Sequence, residues 1–237
     1  MPGKYLNQAE LDWLLEAIAA GEIDPEDYSM VGEQRVIHFY DFHRRGALRT
    51  DDVRVLQDAH EPFIKALREY LESRTGLPAF PRPESFSPVT LNKYLRILPN
   101  PGFIARLRLG PGHDPAFFVM DPSLLFAIIN SMLGGSIGAV KNREATPTEI
   151  AIAGALVTRI LNMWSRILPD RLGIHPEPLN YETDPFAMSL PSPSDGFIAL
   201  NFKVDLGDCS GSLEFCVARA TADEILRCVR RAEESFP

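Results

Sequence analysis

Cysteine and histidine are scarce in this sequence, and their spacing excludes the common metal and redox sites. The three cysteines are odd in number and lack the close pairing of a zinc site, so we expect buried, reduced thiols at Cys209, Cys216 and Cys228. The five histidines are scattered along the chain and form no ligand cluster. We therefore expect neither a metal site nor a cofactor, and no catalytic residue is assigned.

Long apolar runs and an excess of basic residues are also lacking. No apolar run approaches the length that spans a bilayer, and the N-terminus has Glu10 and Asp12 where a signal peptide would be basic and then apolar. The formal net charge of −8 argues against nucleic acid and anionic membranes, because phosphates are met by Lys and Arg. Direct membrane insertion is not expected, so any membrane location would come through a partner.

The N-terminal residues 1–20 have the pattern of a short amphipathic helix. Asn7-Gln8-Ala9-Glu10 has the form of a capping box, Gly21 ends the pattern, and the apolar stripe consists of Leu11, Leu14, Leu15 and Ile18. A helix this short is marginal alone in water, so its stripe needs a cover. Periodicity leaves open whether that cover is the chain's own domain or a partner. The acidic, flexible linker predicted for 21–35 favours a partner.

Residues 36–237 are predicted to form one folded domain. A helix is expected from a Thr50 cap to about Ser73, with His60 as a core residue on its buried stripe. A strand around 85–90 and a short helix over 91–98 follow. The strongest helix signal is Thr146-Pro147-Thr148-Glu149, which opens a helix that runs to Leu168. Its outward Arg159, Asn162 and Arg166 are either lateral contacts or a solvated face, and we favour the solvated face.

A hairpin followed by a helix occurs twice in the domain. Phe103–Leu109 and Ala116–Met120 precede a helix that starts at Pro122, and Phe197–Val204 with 212–217 precedes a helix over 221–231. The similarity is short, so chance remains an alternative to an internal repeat. Helices on both faces of a largely antiparallel sheet predict an α/β fold, specifically a pseudo-symmetric three-layer α/β/α domain.

Many of these segments resemble the FliM family of flagellar motor switch proteins. The N-terminal segment Tyr5–Leu15 is similar to the family's Leu-Ser-Gln-x-Glu-Ile-Asp-x-Leu-Leu motif, with Asn7 in place of Ser and Leu11 in place of Ile. Further matches run in order along the chain: Tyr40-Asp41-Phe42, His60-Glu61-Pro62-Phe63, Leu98-Pro99-Asn100-Pro101, Asp121-Pro122-Ser123-Leu124, Leu133-Gly134-Gly135, Asn142-Arg143-Glu144 and Thr146-Pro147-Thr148-Glu149.

The resemblance implies a CheC-like middle domain in the cytoplasmic C-ring of the bacterial flagellum basal body, peripheral at the inner-membrane face. There the N-terminal helix would bind phosphorylated CheY and so control flagellar rotation, motility and chemotaxis. The residues that the resemblance assigns to CheY binding are Leu6, Asn7, Gln8, Glu10, Leu11, Asp12, Leu14 and Leu15. An amphipathic helix on a linker suits this role, because the linker raises its local concentration near a groove.

The resemblance also implies contacts of the middle domain with FliG and with neighbouring FliM copies in a ring. The loop assigned to FliG binding contains Gly134, Gly135, Ser136 and Gly138, with Arg143 after it, and has one more residue before its last glycine than the family pattern. A plain helix end with a mobile loop is the alternative. The chain stops at Pro237, so FliN is expected as a partner only if a C-terminal domain exists beyond it.

The resemblance leaves two alternative functions. A CheC-type phosphatase would resemble its family in an acid followed three residues later by Asn on each of two helices. Here Asn162 follows Arg159 and Asn130 follows Ala127 at that spacing, so both carboxylates are lacking and we expect no enzyme. The other alternative is a structural ring component of a related secretion apparatus, against which the N-terminal motif argues.

Overall fold

The protein is described from a computed structural model that covers residues 48–113, 116–135, 143–187 and 196–233. The helices are α1 (Thr50–Ala59), α2 (Glu61–Thr75), α3 (Leu91–Ile97), α4 (Pro122–Met132), α5 (Pro147–Ser165) and α6 (Arg219–Glu233). The strands are β1 (Ala79–Val89), β2 (Phe103–Arg108), β3 (Ala116–Met120), β4 (Glu177–Glu182), β5 (Phe197–Leu206) and β6 (Cys209–Ala218), and short 3₁₀ turns lie at Asp170–Leu172 and Pro185–Ala187. Within these ranges no helix has the length and apolar character needed to cross a membrane.

The strands form a six-stranded antiparallel sheet in the order β1-β5-β6-β3-β2-β4. The two halves share the order helix, lone strand, hairpin and helix, with α1 and α3 as additional helices in the first half. The internal repeat is therefore longer than the predicted hairpin and helix. The lone strand of each half pairs with the hairpin of the other half, β1 with β5 and β4 with β2. The hairpins meet at the β3–β6 pair, which makes the two halves interlocked.

The two faces of the sheet carry different cover. Alternate strand residues such as Phe202 and Phe215 face a large core shared with α1, α2, α4, α5 and α6. The opposite face has a smaller apolar cluster in which Tyr94 of α3 packs on Phe117 and Cys216. The α/β class with an antiparallel sheet is confirmed, and the layers beside the sheet are unequal.

The core on the helix side is rich in aromatic rings. Trp164 of α5 stacks on Phe215 with ring centroids 4.5 Å apart, and Phe63 of α2 meets both Phe215 and Phe202 edge-on. Such pairs add packing energy beyond the area they bury. These rings hold α2 and α5 against the centre of the sheet.

The prediction of one helix from Thr50 to about Ser73 was wrong, because this stretch forms two helices, α1 and α2. Pro62 has no N–H to donate to the carbonyl of Asp58, so the chain breaks at His60. The cap of α1 is Arg49 and not Thr50: the Arg49 amide donates to the Asp52 carboxylate over 3.1 Å. The His60 ring forms a hydrogen bond with the backbone carbonyl of Leu56, with Nδ1 at 2.6 Å from that oxygen.

Two strands of the sheet differ from the prediction. β1 begins at Ala79, well before the predicted start near 85, and continues past a register shift between Pro83 and Ser85. The edge strand β4 was not predicted at all. This strand contains few apolar residues and includes Pro178. Such a composition is suited to the edge of a sheet but gives only a weak strand pattern in the sequence.

Candidate functional site

The predicted binding residues are only partly within the described chain. The CheY-binding set, Leu6, Asn7, Gln8, Glu10, Leu11, Asp12, Leu14 and Leu15, lies outside the described residues, as do Ser136 and Gly138 of the glycine loop. Their assignments stay predictions. Gly134, Gly135 and Arg143 are described, and they stand at the two ends of the segment 136–142 that joins α4 to α5.

Gly134 and Gly135 form a tight turn at the end of α4. Gly134 has φ +81, a left-handed conformation that side chains other than glycine rarely adopt. Its amide donates to the Ser131 carbonyl over 3.0 Å, and the Gly135 amide donates to the Asn130 carbonyl over 2.8 Å. A Cβ on Gly135 would lie 3.2 Å from that same oxygen, which leaves little room for any other residue.

Leu133 precedes the turn, and the sequence analysis did not assign it to the candidate site. It is 70% exposed just past the end of α4, although the helix is buried from Leu124 to Ile129. The signal available in the sequence was a leucine after the last turn of the helix pattern and directly before two glycines. Single exposed apolar side chains are common on protein surfaces, so it is the position beside the glycine turn, and not the exposure alone, that makes Leu133 a candidate contact.

Arg143 forms a bidentate ion pair with Glu149 at the other end of the segment. Nη2 donates to Oε1 over 2.6 Å and Nη1 donates to Oε2 over 2.9 Å. The same Nη1 donates to the backbone carbonyl of Glu144 over 2.9 Å. Two parallel N–H···O bonds fix the plane of the guanidinium as well as its distance.

Glu149 also completes the predicted capping box of α5. Its Oε2 accepts from both the amide and the hydroxyl of Thr146 over 2.8 Å, while the Thr146 hydroxyl accepts from the Glu149 amide over 3.3 Å. The Arg143 guanidinium and the Thr146 donors stabilise the charged carboxylate, so the pKa of Glu149 falls to about 2. The predicted cap is confirmed, and Arg143 forms its ion pair with the glutamate of that cap.

The guanidinium of Arg143 lies over the ring of Phe126, with its carbon 4.4 Å from the ring centroid. Phe126 belongs to α4, and Glu149 belongs to α5. One side chain therefore joins both helices that flank the segment. The structure brings Arg143 together with α4, which spacing alone did not predict.

The two Asn pairs weighed for a phosphatase lie in different environments. Ala127 is fully buried in the core on α4 and Asn130 is half-buried, so the residue in the acid position of this pair is not on the surface. Arg159 and Asn162 are exposed on α5. Neither pair places a carboxylate beside its amide. The exposure of Arg159 and Asn162 in one subunit fits both a solvated face and a lateral contact, so the choice between them stays a prediction.

A buried polar group lies away from this site, under α3. Asn201 donates to the Glu214 carboxylate over 2.9 Å, and Tyr94 lies beside the same carboxylate. Burial raises the pKa of Glu214. The free cysteines follow expectation in part, because Cys216 and Cys228 are buried while Cys209 is half-exposed. Among the described residues no group of His, Cys, Asp or Glu side chains could hold a metal ion.

The matching family model and the relatives compared with this chain agree. The model of the flagellar motor switch protein FliM matches residues 49–232. The FliM of Treponema pallidum is 27% identical over 230 residues, which cover 94% of this chain and 65% of the relative. The FliM of Bacillus subtilis is 23% identical over 228 residues, covering 95% of this chain and 68% of the relative. The chain thus spans about two thirds of the length of these relatives.

The fold has solved counterparts in the same family. A chain of the FliG–FliM complex from H. pylori superposes with a TM-score of 0.69 at 17% identity, covering 76% of this chain and 100% of that chain. The matched proteins are named as motor switch proteins and not as enzymes, which agrees with the expectation that the chain is not an enzyme. The chain belongs to the FliM family of flagellar motor switch proteins.

Proposed function

We propose that the chain is a motor switch subunit that binds FliG through the loop that starts at Gly134. The glycine turn at the end of α4 carries this proposal: Leu133 is 70% exposed there, and the backbone of Gly134 is left bare by the lack of a side chain. A partner surface can approach a bare backbone closely. The solved relative from H. pylori, which is in complex with FliG, supports the choice of partner.

A pair of matched substitutions tests the FliG contact. Gly134→Asp adds charge and bulk to the turn, and Gly112→Asp makes the same change in the β2–β3 hairpin. Both glycines have φ +81 and open space around the added Cβ, so the backbone strain is equal in the two variants. We expect Gly134→Asp to weaken FliG binding in calorimetry while Gly112→Asp binds as the wild type does. Equal affinity of the two variants would remove this loop from the FliG contact.

We further propose that residues 1–20 receive the signal by binding phosphorylated CheY. The support is the apolar stripe of Leu11, Leu14 and Leu15 behind an N-terminal capping box, together with its similarity to the family motif. A labelled peptide spanning residues 1–20 is titrated with CheY, with and without phosphorylation. A preference for the phosphorylated form supports the receptor role. Failure of both forms to bind contradicts it and leaves the FliG contact untouched.

These two contacts define the proposed role in the motor. Signal binding at the N-terminus would bias the middle domain, and the loop would pass the bias to FliG and so to the direction of rotation. The subunit would work as one of several neighbouring copies in the cytoplasmic C-ring, peripheral at the inner-membrane face. FliN would be a further partner only if another domain follows residue 237.

A further inference from the structure

We propose that α3 is a cover on the second face of the sheet, which opens as a unit by releasing Tyr94 and opens more readily when Glu214 is ionised. Opening uncovers the thiol of Cys216 and the apolar side chains around it. This face of the sheet is opposite the face that packs against α4. The opening of α3 is therefore separate from the proposed FliG contact.

α3 is held to the domain by few interactions. It has seven residues, and its N-cap Thr90 forms no side-chain capping hydrogen bond with any described residue. A helix this short is not stable without packing. Among the described side chains of α3, Tyr94 is the one that is buried, whereas Ile97 at the end of the helix is 68% exposed. Tyr94 is thus the main anchor of the helix.

The chain is fixed on both sides of α3. Before the helix, Val89 pairs with Phe197 at the end of β1. After the helix, the Gly102 amide donates to the Thr183 carbonyl over 2.7 Å. A segment with few buried contacts opens at a lower free energy than the whole domain unfolds. The helix can therefore open between these two points while the sheet stays paired.

The surface beneath α3 combines apolar contacts with unpaired polar atoms. Tyr94 packs in the smaller apolar cluster with Phe197 and Cys216. Within the described ranges, three buried atoms beside this cluster form no hydrogen bond: the Tyr94 hydroxyl, Oε1 of Glu214 and Oδ1 of Asn201. Burial of an unpaired polar atom costs free energy that hydration recovers. Water reaches these atoms when α3 opens, so they offset part of the packing that keeps the helix closed.

Ionisation of Glu214 adds to this effect. Burial raises the pKa of its carboxyl, so the closed state keeps the proton to a higher pH than the open, hydrated state does. Rising pH therefore favours the open state. The other charged or titratable groups on α3 and on this face of the neighbouring strands are Lys93, Tyr94, Arg96, Arg106, Lys203 and Cys216. Among the described residues none of these forms an ion pair with Glu214, so its charge is uncompensated when buried.

Labelling of the Cys216 thiol measures the opening. Burial raises the pKa of this thiol, so it stays protonated and unreactive while α3 is closed. Iodoacetamide labelling at pH 7 is read at Cys216 alone by peptide mass spectrometry. The ratio of this rate to the rate in urea-unfolded protein gives the open population. We expect it to exceed the globally unfolded population, obtained from urea denaturation, at least about tenfold. Equal populations overturn the proposal, because Cys216 would then be exposed only by global unfolding.

Two substitutions on α3 test the anchor. Tyr94→Ala removes the buried side chain and should raise the labelling rate of Cys216 at least about tenfold. Ile97→Ala shortens an exposed side chain of the same helix and should label as the wild type does. Equal labelling rates in Tyr94→Ala and the wild type contradict α3 as the cover of this thiol.

The role of Glu214 is tested by the pH dependence of labelling. Ionisation of the thiol affects the wild type and Glu214→Gln alike, so it cancels in the ratio of their Cys216 labelling rates. Between pH 5 and pH 8 we expect this ratio to rise about three- to tenfold, because only the wild type gains a carboxylate that favours the open helix. A ratio that does not change with pH overturns the proposed role of Glu214 in the opening.

Discussion

Trp164 donates its indole N–H to Nε2 of His60 over 3.1 Å, and this bond links α5 to the break between α1 and α2. Because Nε2 accepts here, the ring proton is on Nδ1, which donates to the Leu56 carbonyl. His60 therefore satisfies the end of one helix and a buried donor of another. The core residue predicted at this position is therefore a polar side chain whose two ring nitrogens both form hydrogen bonds within an apolar core.

Trp164→Phe should destabilise the domain by about 2–4 kcal/mol, because it leaves a cavity beside Phe215 and an unpaired nitrogen on His60. Urea denaturation of the wild type and the variant gives the difference. A cycle with His60→Leu isolates the hydrogen bond: the two effects should be less than additive in the double variant. Full additivity would mean that the bond contributes nothing beyond packing.

The stability of the domain should fall as the pH is lowered from 6.5 to 4. Burial lowers the pKa of His60 to about 4 from 6.5, so over this interval the unfolded chain binds the proton and the folded chain does not. Stability from this group is complete above pH 6.5 and is lost towards pH 4, up to about 3 kcal/mol. Denaturation of His60→Gln at the same pH values is the comparison. Parallel pH profiles for the two proteins would exclude His60 as the cause.

Gly211→Ala should destabilise the packing of β6 against α4. A Cβ at Gly211 would lie 2.7 Å from the Cβ of Leu124, closer than such atoms approach, and 3.3 Å from that of Asp121, which is a tight contact. We expect a loss of about 1–3 kcal/mol in the free energy of unfolding, as for other overpacked cores. Ser212→Ala in the next position adds no volume and serves as the control. An unfolding free energy equal to that control would show that the helix moves away freely.

Local signals in the sequence predicted the parts of the fold that depend on neighbouring residues. The capping box of Thr146 and Glu149 was found because its partners are three residues apart. The hairpins were found from alternation and from turn glycines. The pairing of β1 with β5 and of β4 with β2 depends on residues far apart in sequence, so no local pattern indicated that the halves interlock.

Apolar periodicity also misled at one point. Leu56, Phe63 and Leu67 continue one apolar stripe across His60, and all three are buried. The periodicity therefore gave the right core residues and the wrong number of helices. Pro62 was the signal for the break, since proline at the first turn of a helix is favourable and in the interior is not.

The candidate site also contains some features that have a local signal in the sequence and others that depend on contacts between distant residues. The positive φ of Gly134 is typical of a glycine at a helix end, which the sequence analysis gave as the alternative to a binding loop. The bonding of Arg143 did not follow from its motif, because its anchors belong to two helices that meet only in the folded domain. The exposure of Leu133 was missed because a leucine in a helix pattern is usually buried.

Glu214→Gln should stabilise the domain at neutral pH and remove a fall in stability with rising pH. Burial raises the pKa of Glu214, so between its unfolded value near 4.5 and the raised folded value the native state binds the additional proton. Its contribution is greatest below 4.5 and is lost as the pH rises through the folded pKa, opposite in direction to that of His60. Glutamine keeps a polar group for Asn201 without the charge that burial penalises.

Denaturation of Glu214→Gln across pH 5 to 8 should show a gain in unfolding free energy above the roughly 0.5 kcal/mol of neutral surface substitutions, with Glu177→Gln on the exposed strand β4 as control. A lower stability of Glu214→Gln at pH 8 would instead mean that the buried carboxylate is ionised and well paired beneath α3.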